Sequence, residues 1–588
     1  MKRTHHCGEL NEAFVDKEVI LNGWVNKWRD HGGLIFIDLR DRYGLTQIVF
    51  NPQVNRETYE QAKNLRSEDV IAVKGIVQKR PPEALNTKLA TGAIEVHVHE
   101  LEILNKAKTT PFEINDQIEV SEEIRLKYRY LDLRRGKLQK NLIVRSHVYK
   151  IVRDFYHAEN FVEIETPFLM KSTPEGARDF LVPSRNFPGR FYALPQSPQT
   201  YKQLLMIAGF DRYFQIVKCF RDEDLRKDRQ PEFTQIDVEM SFVDEEDVIE
   251  ISSRLVRELF KKTIGHDISL PIRRMTYREA FENYGNDKPD LRFGMPIVTL
   301  NDVFKQSEFK VFRSVIDAGG RIAALAVRPA DAFSRKKIDG LADRAKELGA
   351  KGLAYLIHSQ AGFKGSVAKF VSEKEQQALK ETLSLGDENT LILIVADSYE
   401  TTYPVLGQLR LEIGQQLGLM ESGRFEFVWI VDFPLLEFSE EENRYVARHH
   451  PFTSPKQDHI SLLDTAPEKV LARAYDLVVN GSEIAGGSIR NHQRALQEKM
   501  FEILKIGKEE ARSKFGFLLD ALEYGAPPHG GIAFGLDRLV MILTGAESIR
   551  DVIAFPKTSS ALSLMDGAPS EVSPEQLAEL KIKVDLNK

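Results

Sequence analysis

The sequence contains few cysteines, no long apolar run and no strong excess of charge of one sign. Cys7 and Cys219 are the only cysteines, which excludes a disulfide-rich scaffold and a metal site built from cysteine. No segment has the apolar core of a signal peptide, the length of a membrane span or the composition of a transit peptide. We therefore expect a protein of the reducing cytoplasm that does not enter a membrane.

The composition is that of an ordinary globular protein. Hydrophobic residues make up 42% and charged residues 29% of the 588 residues, and the net charge is −6. Because the net charge does not indicate nucleic acid binding, any such binding must depend on local basic patches. The length exceeds what a single hydrophobic core supports, so we expect three or four domains.

Residues 1–108 have the pattern of a small β-barrel. Gly and Pro residues punctuate or interrupt five short strand-like stretches. These stretches are VILNGWVNKWR, GLIFIDLRD, LTQIVF, DVIAVKGIVQKR and AIEVHVHELEIL. Five strands in this length are typical of the OB-fold, which binds oligonucleotides on an open face. Trp28 and Phe36 lie among basic residues on these strands. Single-stranded bases bind by stacking on aromatic rings beside basic side chains. The alternative is a solvated basic face over core aromatics.

Residues 109–141 are predicted to form a basic connector. Seven basic residues and one acid, Asp132, occur between Arg125 and Lys140. Such a hinge would suit a phosphate backbone that runs between the barrel and a cleft. The alternative is a solvated amphipathic helix.

The stretch from Phe214 to Met240 predicts a hairpin. Residues 214–221 and 233–240 both alternate, and the loop between them is too charged to be buried. Gln235, Asp237 and Glu239 share one face, and buried polar groups each need a partner. We therefore interpret this face as the lining of a ligand cleft. The alternative is a polar surface hairpin.

Two later segments have site-like composition. YDLVVNGSEIAGGSIR contains Asp476 and Glu483, which could bind a divalent ion through carboxylate oxygens, although two such residues are usually just surface groups. GGIAFGLDRL predicts a Gly-rich strand that enters a helix, with Arg538 in the first helical turn. Small residues allow another group to approach the backbone, and phosphate favours helix starts.

These segments together resemble the class II aminoacyl-tRNA synthetases. Three segments are similar to the signature motifs of that family and occur in the expected order. They are FVEIETPFL, FRDEDLR with RQPEFTQIDVE, and GGIAFGLDRL. With an N-terminal OB barrel, the resemblance is to the subclass that charges aspartate, asparagine or lysine. STPEGARDF, LPQSPQTYKQLLM, RHHPFTSP and NGSEIAGGSIR resemble its bacterial-type aspartyl members, and residues 289–423 resemble their GAD insertion.

The resemblance implies a multidomain α+β fold. The implied parts are an OB-fold anticodon-binding domain at 1–108, a hinge at 109–141, a catalytic domain with an antiparallel sheet at 142–288 and 424–558, an inserted α/β GAD domain at 289–423, and a C-terminal extension at 559–588. It also implies a homodimer. Pro167 indicates that its strand lies at an edge or an interface, because proline cannot pair fully inside a sheet.

The implied activity is that of a ligase. ATP and L-aspartate would form aspartyl-adenylate and pyrophosphate, and the 3′ end of tRNA(Asp) would then accept the aspartyl group; both steps need positioning and charge neutralisation. The implied catalytic residues are Arg221, Glu483 and Arg538. The implied ATP-binding residues are Arg221, Asp222, Glu223, Gln230, Glu483, Gly535, Leu536, Asp537 and Arg538. Asp476 and Glu483 are expected to bind Mg²⁺.

The resemblance also implies an aspartate site. Its residues are Glu175, Ser197, Gln199, Lys202, Arg221, Gln235, Asp237, His449 and Arg490. Arg490 is expected to pair in a bidentate manner with the side-chain carboxylate of the substrate, and Lys202 to add positive charge. Burying these cations against neutral asparagine would be costly, so we expect aspartate to be preferred.

The implied anticodon contacts lie in the barrel and are Arg29, His31, Phe36, Gln47, Arg80 and Glu95. His31, in place of an apolar residue, resembles the relaxed type of enzyme, so charging of tRNA(Asn) as well is our hypothesis. Three alternatives remain open. A lysyl enzyme would need acids where Lys202 and Arg490 stand, an asparaginyl enzyme would not be expected to carry the insertion, and a non-catalytic tRNA-binding paralogue would commonly lose the motif arginines.

Overall fold

The computed structural model describes residues 1–173, 177–225 and 228–586. The chain forms two compact units, residues 1–145 with 550–571 and residues 146–549 with 572–588. Within the described ranges, no helix has both the length and the apolar content needed to cross a bilayer.

The N-terminal part of the first unit is a closed barrel, as the sequence predicts. Its strands, in the spatial order β1-β2-β3-β5-β4, are β1 (Glu18–His31), β2 (Leu34–Asp41), β3 (Gly44–Phe50), β4 (Val70–Lys79) and β5 (Ile94–Asn105). Alternate residues of β2, namely Ile35, Ile37 and Leu39, are fully buried in one apolar core. The period-2 pattern therefore fills the barrel interior and leaves the other side chains outside.

Helices accompany and follow the barrel. They are α1 (Arg56–Ala62), α2 (Glu122–Lys127), α3 (Arg129–Asp132) and α4 (Gly136–Ala158). Arg125, Arg129 and Arg135 of the predicted basic connector all pair with the fully buried Asp132, with nitrogen–oxygen distances of 3.2, 2.7 and 2.9 Å. Arg129 is itself buried and donates to the backbone carbonyls of Arg550 and Ile553. The expectation that these three arginines follow a phosphate backbone is therefore wrong, because they hold the connector together.

The second unit is organised around an eight-stranded sheet. Its strands, in spatial order, are β11 (Arg274–Thr276), β17 (Phe427–Val431), β20 (Ala474–Val479), β21 (Ser482–Ile489), β22 (His529–Gly535), β10 (Glu232–Ser241), β9 (Arg212–Phe220) and β6 (Val162–Glu163). The pairs β11–β17 and β9–β6 are parallel and the others antiparallel. β6 lies at the sheet edge, as expected of a strand followed closely by Pro167.

A smaller sheet forms between β11 and β17 of the chain. Its strands, in the order β12-β13-β16-β14-β15, are β12 (Ile297–Thr299), β13 (Arg321–Val327), β14 (Ala354–Ser359), β15 (Gly362–Gly365) and β16 (Thr390–Asp397). Ala323 and Leu325 of β13 belong to one apolar cluster, while Ile322 and Ala324 belong to another. Both faces of this sheet are therefore covered. The sheet lies within the predicted insertion, whose domain boundaries stay predictions.

The remaining elements are helices and two small hairpins. The helices are α5 (Gln199–Ile207), α6 (Glu245–Ile264), α7 (Tyr277–Tyr284), α8 (Lys310–Asp317), α9 (Arg335–Glu347), α10 (Glu373–Thr382), α11 (Tyr399–Gln416), α12 (Arg494–Ile503), α13 (Lys508–Leu522), α14 (Leu536–Thr544) and α15 (Pro574–Glu579). The hairpins pair β7 (Leu181–Pro183) with β8 (Phe191–Ala193) and β18 (Leu436–Ser439) with β19 (Arg444–Ala447). A capping box formed by Ser573 and Gln576 starts α15.

Glycine allows a charged side chain to lie inside the large sheet. Gly531 of β22 stands opposite Glu239 of β10, and a Cβ added at Gly531 would collide with the Glu239 carboxylate and with the carbonyl oxygen of Val238. Glu239 is fully buried, so neither group has room to move away. The absence of a side chain at Gly531 is therefore a packing requirement.

We expect Gly531→Ala to destabilise the fold by at least about 3 kcal/mol, because overpacking alone costs ~1–3 kcal/mol and here it also displaces a buried charge. The matched control is Gly340→Ala in α9, where an added Cβ meets nothing within 4 Å. Alanine there should stabilise the helix by up to about 1 kcal/mol. Denaturant unfolding would measure both changes, and equal stability of the two variants would contradict the packing argument.

Candidate active site

The predicted hairpin is confirmed, and its connecting loop leads into a cleft on the large sheet. β9 and β10 pair antiparallel, with Gln235 opposite Val217. Residues 221–231 connect the strands, and the structure describes this connection except for residues 226 and 227. Arg221 follows β9 directly, and its backbone N–H donates to the carbonyl of Pro231 at 2.9 Å. The base of the loop is thus closed by a backbone hydrogen bond.

A first cavity, of about 460 Å³, lies where β10, β21 and β22 meet the start of α14. The predicted ATP-binding residues that line it are Arg221, Glu223, Gln230, Glu483, Gly535, Asp537 and Arg538. The other two members of that predicted set lie outside this lining. Leu536 is fully buried, and Asp222 pairs through its backbone with Arg178.

Two arginines are positioned in this cavity by different means. The guanidinium carbon of Arg221 lies 5.0 Å from the ring centre of Phe233, which also lines the cavity. Arg538, in the first turn of α14, donates to the backbone carbonyl of Glu483 and lies 3.1 Å from the Asp228 carboxylate. Cations at a helix start and at a strand end both favour anionic ligands.

Other predicted ATP-binding residues have structural partners. The buried Asp537 carboxylate accepts from the backbone N–H of Thr234 at 2.8 Å, which ties α14 to β10. Gln230 is also buried, and its Nε2 donates to the carbonyl of Arg229 at 3.3 Å. Glu223 pairs with Arg229 at 3.0 Å. These contacts order the edge of the cavity.

A second cavity, of about 480 Å³, adjoins the first, and Arg221, Gln235, Lys288, Glu483 and Ala533 line both. The predicted aspartate-binding and metal-binding residues that line it are Ser197, Gln199, Lys202, Arg221, Gln235, Asp237, His449, Asp476, Glu483 and Arg490. Glu175, also predicted for this site, lies outside the described residues. The structure therefore brings together the described members of a set that spans almost 300 positions of the sequence.

Beneath the second cavity is a buried network of two cations and two carboxylates. The Lys202 Nζ lies 2.7 Å from Asp237 and 3.3 Å from Glu239. Arg490 donates to both carboxylate oxygens of Glu239, from Nε at 2.9 Å and from Nη2 at 3.1 Å. All four side chains are at most 2% exposed. Such a network tolerates burial because each charge has an opposite partner.

This network changes two of the expectations from sequence. The bidentate partner of Arg490 is Glu239. One Nη2 N–H therefore remains for a ligand, instead of the two N–H groups that the expected bidentate pair with the substrate carboxylate would use. The positive charge of Lys202 and Arg490 is also already balanced by two carboxylates. A simple excess of positive charge therefore does not explain a preference for aspartate over asparagine.

His450 completes the surroundings of Arg490. The Arg490 Nη1 donates to the His450 Nε2 at 2.7 Å and to the Ser488 hydroxyl at 2.6 Å. Because arginine can only donate, the His450 Nε2 must be unprotonated. Burial lowers the pKa of His450 well below its ordinary value, and the charge of Arg490 lowers it further.

Asp476 and Glu483 converge above Gly486. A Cβ added at Gly486 would lie 2.6 Å from an Asp476 oxygen and 3.6 Å from a Glu483 oxygen, so only glycine leaves this space open. Burial in the cleft and the neighbouring Asp476 charge raise the pKa of Glu483. His449 lies 3.7 Å from Asp476. Among the described residues, no group of three or more His, Cys, Asp or Glu side chains is arranged as a closed metal site.

Several residues of the site were not singled out for it from the sequence. They are Asp228, Phe233, Lys288, His450 and Ser488. His450 was recognisable from its neighbour His449. Glu239 was predicted to lie on the cleft-lining face of β10, but its pairing with Arg490 was not predicted. Lys288 gave no local signal, because it lies in a loop before β12.

In the barrel, three of the predicted anticodon-binding residues form a hydrogen-bonded chain. The Arg29 Nη2 donates to the Gln47 Oε1 at 3.1 Å, and the Gln47 Nε2 donates to Glu95 at 2.8 Å. Phe36 stands directly opposite Arg29 in the β1–β2 pairing. Directly opposed residues share a face of the sheet, so the aromatic ring and the polar chain lie side by side.

The other two predicted anticodon-binding residues differ in exposure. Arg80 is buried, its Nε donates to the carbonyl of Ile94 at 2.8 Å, and its Nη2 has no hydrogen-bond partner among the described residues. His31 is the last residue of β1 and is exposed. Of these two residues, only His31 is therefore exposed on the barrel, and the unpartnered Arg80 Nη2 is buried.

An OB barrel together with a mainly antiparallel sheet that carries these adjoining polar cavities is typical of a class II aminoacyl-tRNA synthetase. The family described as "tRNA synthetases class II (D, K and N)" matches residues 121–559, and the family described as "OB-fold nucleic acid binding domain" matches residues 19–104. The chain therefore belongs to the class II tRNA synthetases of the D, K and N group.

Full-length relatives carry a more specific name than the family description does. A protein of Caldanaerobacter subterraneus subsp. tengcongensis named aspartate–tRNA(Asp/Asn) ligase is 56% identical over 100% of this chain and 99% of its own length. A protein of Aquifex aeolicus with the same name is 54% identical over 99% of this chain and 98% of its own length.

Solved structures agree with the fold. Asparaginyl-tRNA synthetase from Pyrococcus horikoshii complexed with asparaginyl-adenylate superposes with a TM-score of 0.60 at 20% identity, covering 96% of this chain and 100% of that one. A putative aspartyl-tRNA synthetase from Leishmania major gives a TM-score of 0.59 at 19% identity, over 94% of each chain.

We expect acidification to destabilise the wild type more than the His450→Gln variant. Because the folded state disfavours protonated His450, the unfolded chain binds an additional proton below pH ~6.5, and the free energy of unfolding falls there by up to about 1.4 kcal/mol per pH unit for this group. Glutamine cannot take up that proton. Denaturant unfolding at several pH values between about 7 and 5 would measure the slopes, with His147→Gln at an exposed histidine as control. Identical slopes for the wild type and His450→Gln would contradict this assignment.

Proposed function

We propose that this chain is an aspartate–tRNA ligase that activates L-aspartate with ATP and transfers it to the 3′ end of tRNA(Asp). The observation that carries the proposal is the pair of adjoining cavities that meet at Arg221. Full-length relatives at 53–56% identity named aspartate–tRNA(Asp/Asn) ligase support the amino acid and the tRNA.

The position of Arg221 supports its role in adenylation. The first cavity takes ATP and the second takes aspartate, so the α-phosphate and the attacking carboxylate meet where the cavities join. Arg221 forms no ion pair with a described residue, and its guanidinium remains available for the charge that develops on the phosphate oxygens. Arg538, at the start of α14, holds the distal phosphates.

Unpartnered polar atoms support the aspartate site. Gln199, Asp237 and His449 line the second cavity, and the Gln199 Nε2, Asp237 Oδ2 and His449 Nδ1 atoms are buried and have no hydrogen-bond partner among the described residues. Buried polar atoms without partners are costly, and a zwitterionic substrate would supply both donors and acceptors. Asp237 and Gln235 orient the α-ammonium, while Lys202 and the remaining Arg490 N–H contact the carboxylates.

The donor set above Gly486 fits Mg²⁺. Mg²⁺ is usually bound by one or two carboxylates together with water and substrate phosphates, and Asp476 and Glu483 converge there as such a pair. The ion would neutralise phosphate charge and orient the leaving group. Glu483 lines both cavities, so a cation held by it would lie near the nucleotide as well as the amino acid.

The remaining proposals concern partners. We assign the surface around Phe36, Arg29 and Gln47 to the anticodon, with Phe36 stacking on a base and the polar chain reading base edges. His31 lies beside this surface, and charging of tRNA(Asn) in addition to tRNA(Asp) follows from it as a hypothesis. A homodimer through the edge of β6 and a cytoplasmic location also stay predictions.

The first test is aspartate-dependent exchange of pyrophosphate into ATP. The wild type should exchange with L-aspartate and not with L-asparagine or L-lysine. Arg221→Gln should lower kcat about 100-fold, because it removes a preorganised transition-state donor. Arg313→Gln, at an exposed arginine of α8, is the matched control and should match the wild type. A wild-type protein without exchange would instead favour the non-catalytic tRNA-binding alternative.

The second test is aspartylation of purified tRNA(Asp) and tRNA(Asn), measured side by side. We expect the wild type to charge both, and His31→Leu to lower kcat/KM for tRNA(Asn) about tenfold, which corresponds to the loss of one base-edge contact. Charging of tRNA(Asp) by the same variant serves as internal control. If the wild type charges tRNA(Asp) alone, the inference from His31 is wrong while the catalytic assignment stands.

A further inference from the structure

Lys288 lies where the two cavities meet, and neither the motifs nor the predicted site accounts for it. Its Nζ is 3.2 Å from the Glu483 carboxylate and 3.5 Å from Asp287. The side chain lines both cavities and is partly exposed to them. Lys288 immediately precedes the predicted insertion, so a residue outside the recognised motifs faces the position expected for the reacting groups.

The backbone that carries Lys288 is held from the insertion side. We call residues 286–295 the root segment. Arg410 of α11 is almost fully buried and donates to the backbone carbonyls of Asp290, Phe293 and Gly294, each at 2.9 Å. The guanidinium carbon of Arg410 also lies 4.0 Å from the Phe293 ring centre. Residues of α11 and of the insertion sheet belong to one apolar core, so the sheet holds α11 in place. Through Arg410, α11 in turn fixes the root segment.

A close backbone approach adds to this support. Gly285 ends α7 with a φ of +78°, and a Cβ added there would lie 2.6 Å from the Cα of Gly407 in α11. α7 and α11 are therefore in direct backbone contact just before the root segment begins. The location of Lys288 is thereby set, while its long side chain keeps its rotational freedom.

The charges around Lys288 determine its protonation. Desolvation lowers the pKa of Lys288, but the charges of Glu483 and Asp287 outweigh this effect and raise it above its ordinary value. The lysine is therefore charged and serves as counter-ion to Glu483. The same Glu483 belongs to the carboxylate pair above Gly486, which fits a divalent cation.

We propose that Lys288 is a displaceable counter-ion and a catalytic residue of adenylation, which neutralises Glu483 in the empty site and contacts ATP phosphate oxygens when nucleotide is bound. This inference rests on the proposed function. The Nζ contacts Oε2 of Glu483, whereas Oε1 is the oxygen that lies near Gly486, so a divalent cation bound to this carboxylate would compete with the ammonium by charge repulsion and would release the Nζ. The released ammonium then lies between the cavities, beside the bond that breaks as pyrophosphate leaves.

The first arm of the test is aspartate-dependent pyrophosphate exchange by Lys288→Met, Lys288→Arg and the wild type. We expect Lys288→Met to lower kcat about 100-fold, as for loss of one transition-state donor, and Lys288→Arg to restore part of the loss because it keeps the charge. The matched control is Lys364→Met, at an exposed lysine of β15, which should stay within about twofold of the wild type.

The second arm measures Mn²⁺ binding without nucleotide, by the electron paramagnetic resonance signal of free Mn²⁺. Removing the competing ammonium should tighten Mn²⁺ binding to Lys288→Met about tenfold, whereas a merely structural lysine would leave it unchanged or weaker.

Exchange by Lys288→Met within about twofold of the wild type, or unchanged Mn²⁺ affinity, would overturn the proposal. Failure of Lys288→Met to fold would also overturn it. Absence of exchange in the wild type would instead refute the proposed function, and the Mn²⁺ arm would still decide the counter-ion role.

Discussion

The candidate site depends on the buried pairing of Lys202 and Arg490 with Asp237 and Glu239. These charges come from α5, β10 and the end of β21, and they draw three distant parts of the chain to one point. Removing one partner would leave an uncompensated buried charge, so each side chain holds the others in place. The second cavity lies on the upper surface of this network, and its shape follows from the pairing.

The network also changes how selectivity should be understood. With two cations balanced by two carboxylates, a ligand meets directed hydrogen-bonding groups rather than a positive field. If the second cavity binds aspartate as proposed, discrimination between a carboxylate and an amide would depend on which atoms can donate and accept at the remaining Arg490 N–H, at His449 and at Gln199. The neutral His450 contributes by accepting from Arg490, which fixes the orientation of the guanidinium group.

Much of the fold and a large part of the candidate site were predictable from the sequence. The barrel strands and the hairpin of β9 and β10 have strong alternation, and the motif residues around Arg221, Glu483 and Arg538 lie in two adjoining cavities. What could not be predicted are contacts between residues far apart without local pattern, such as Glu239 with Arg490 and Lys288 with Glu483. The connector was misinterpreted because a single buried acid, Asp132, pairs with three arginines.

Gly531 has a consequence for how this sequence can change over time. Any replacement of that glycine adds at least a Cβ, and the Cβ meets the Glu239 carboxylate. A shorter residue at 239 would remove only one of the two collisions, because the Cβ also meets the carbonyl oxygen of Val238, and it would leave Arg490 without its bidentate partner. No single replacement at either position is therefore neutral, and a change at 239 does not release the constraint at 531. The second cavity thus depends on a glycine that does not line it.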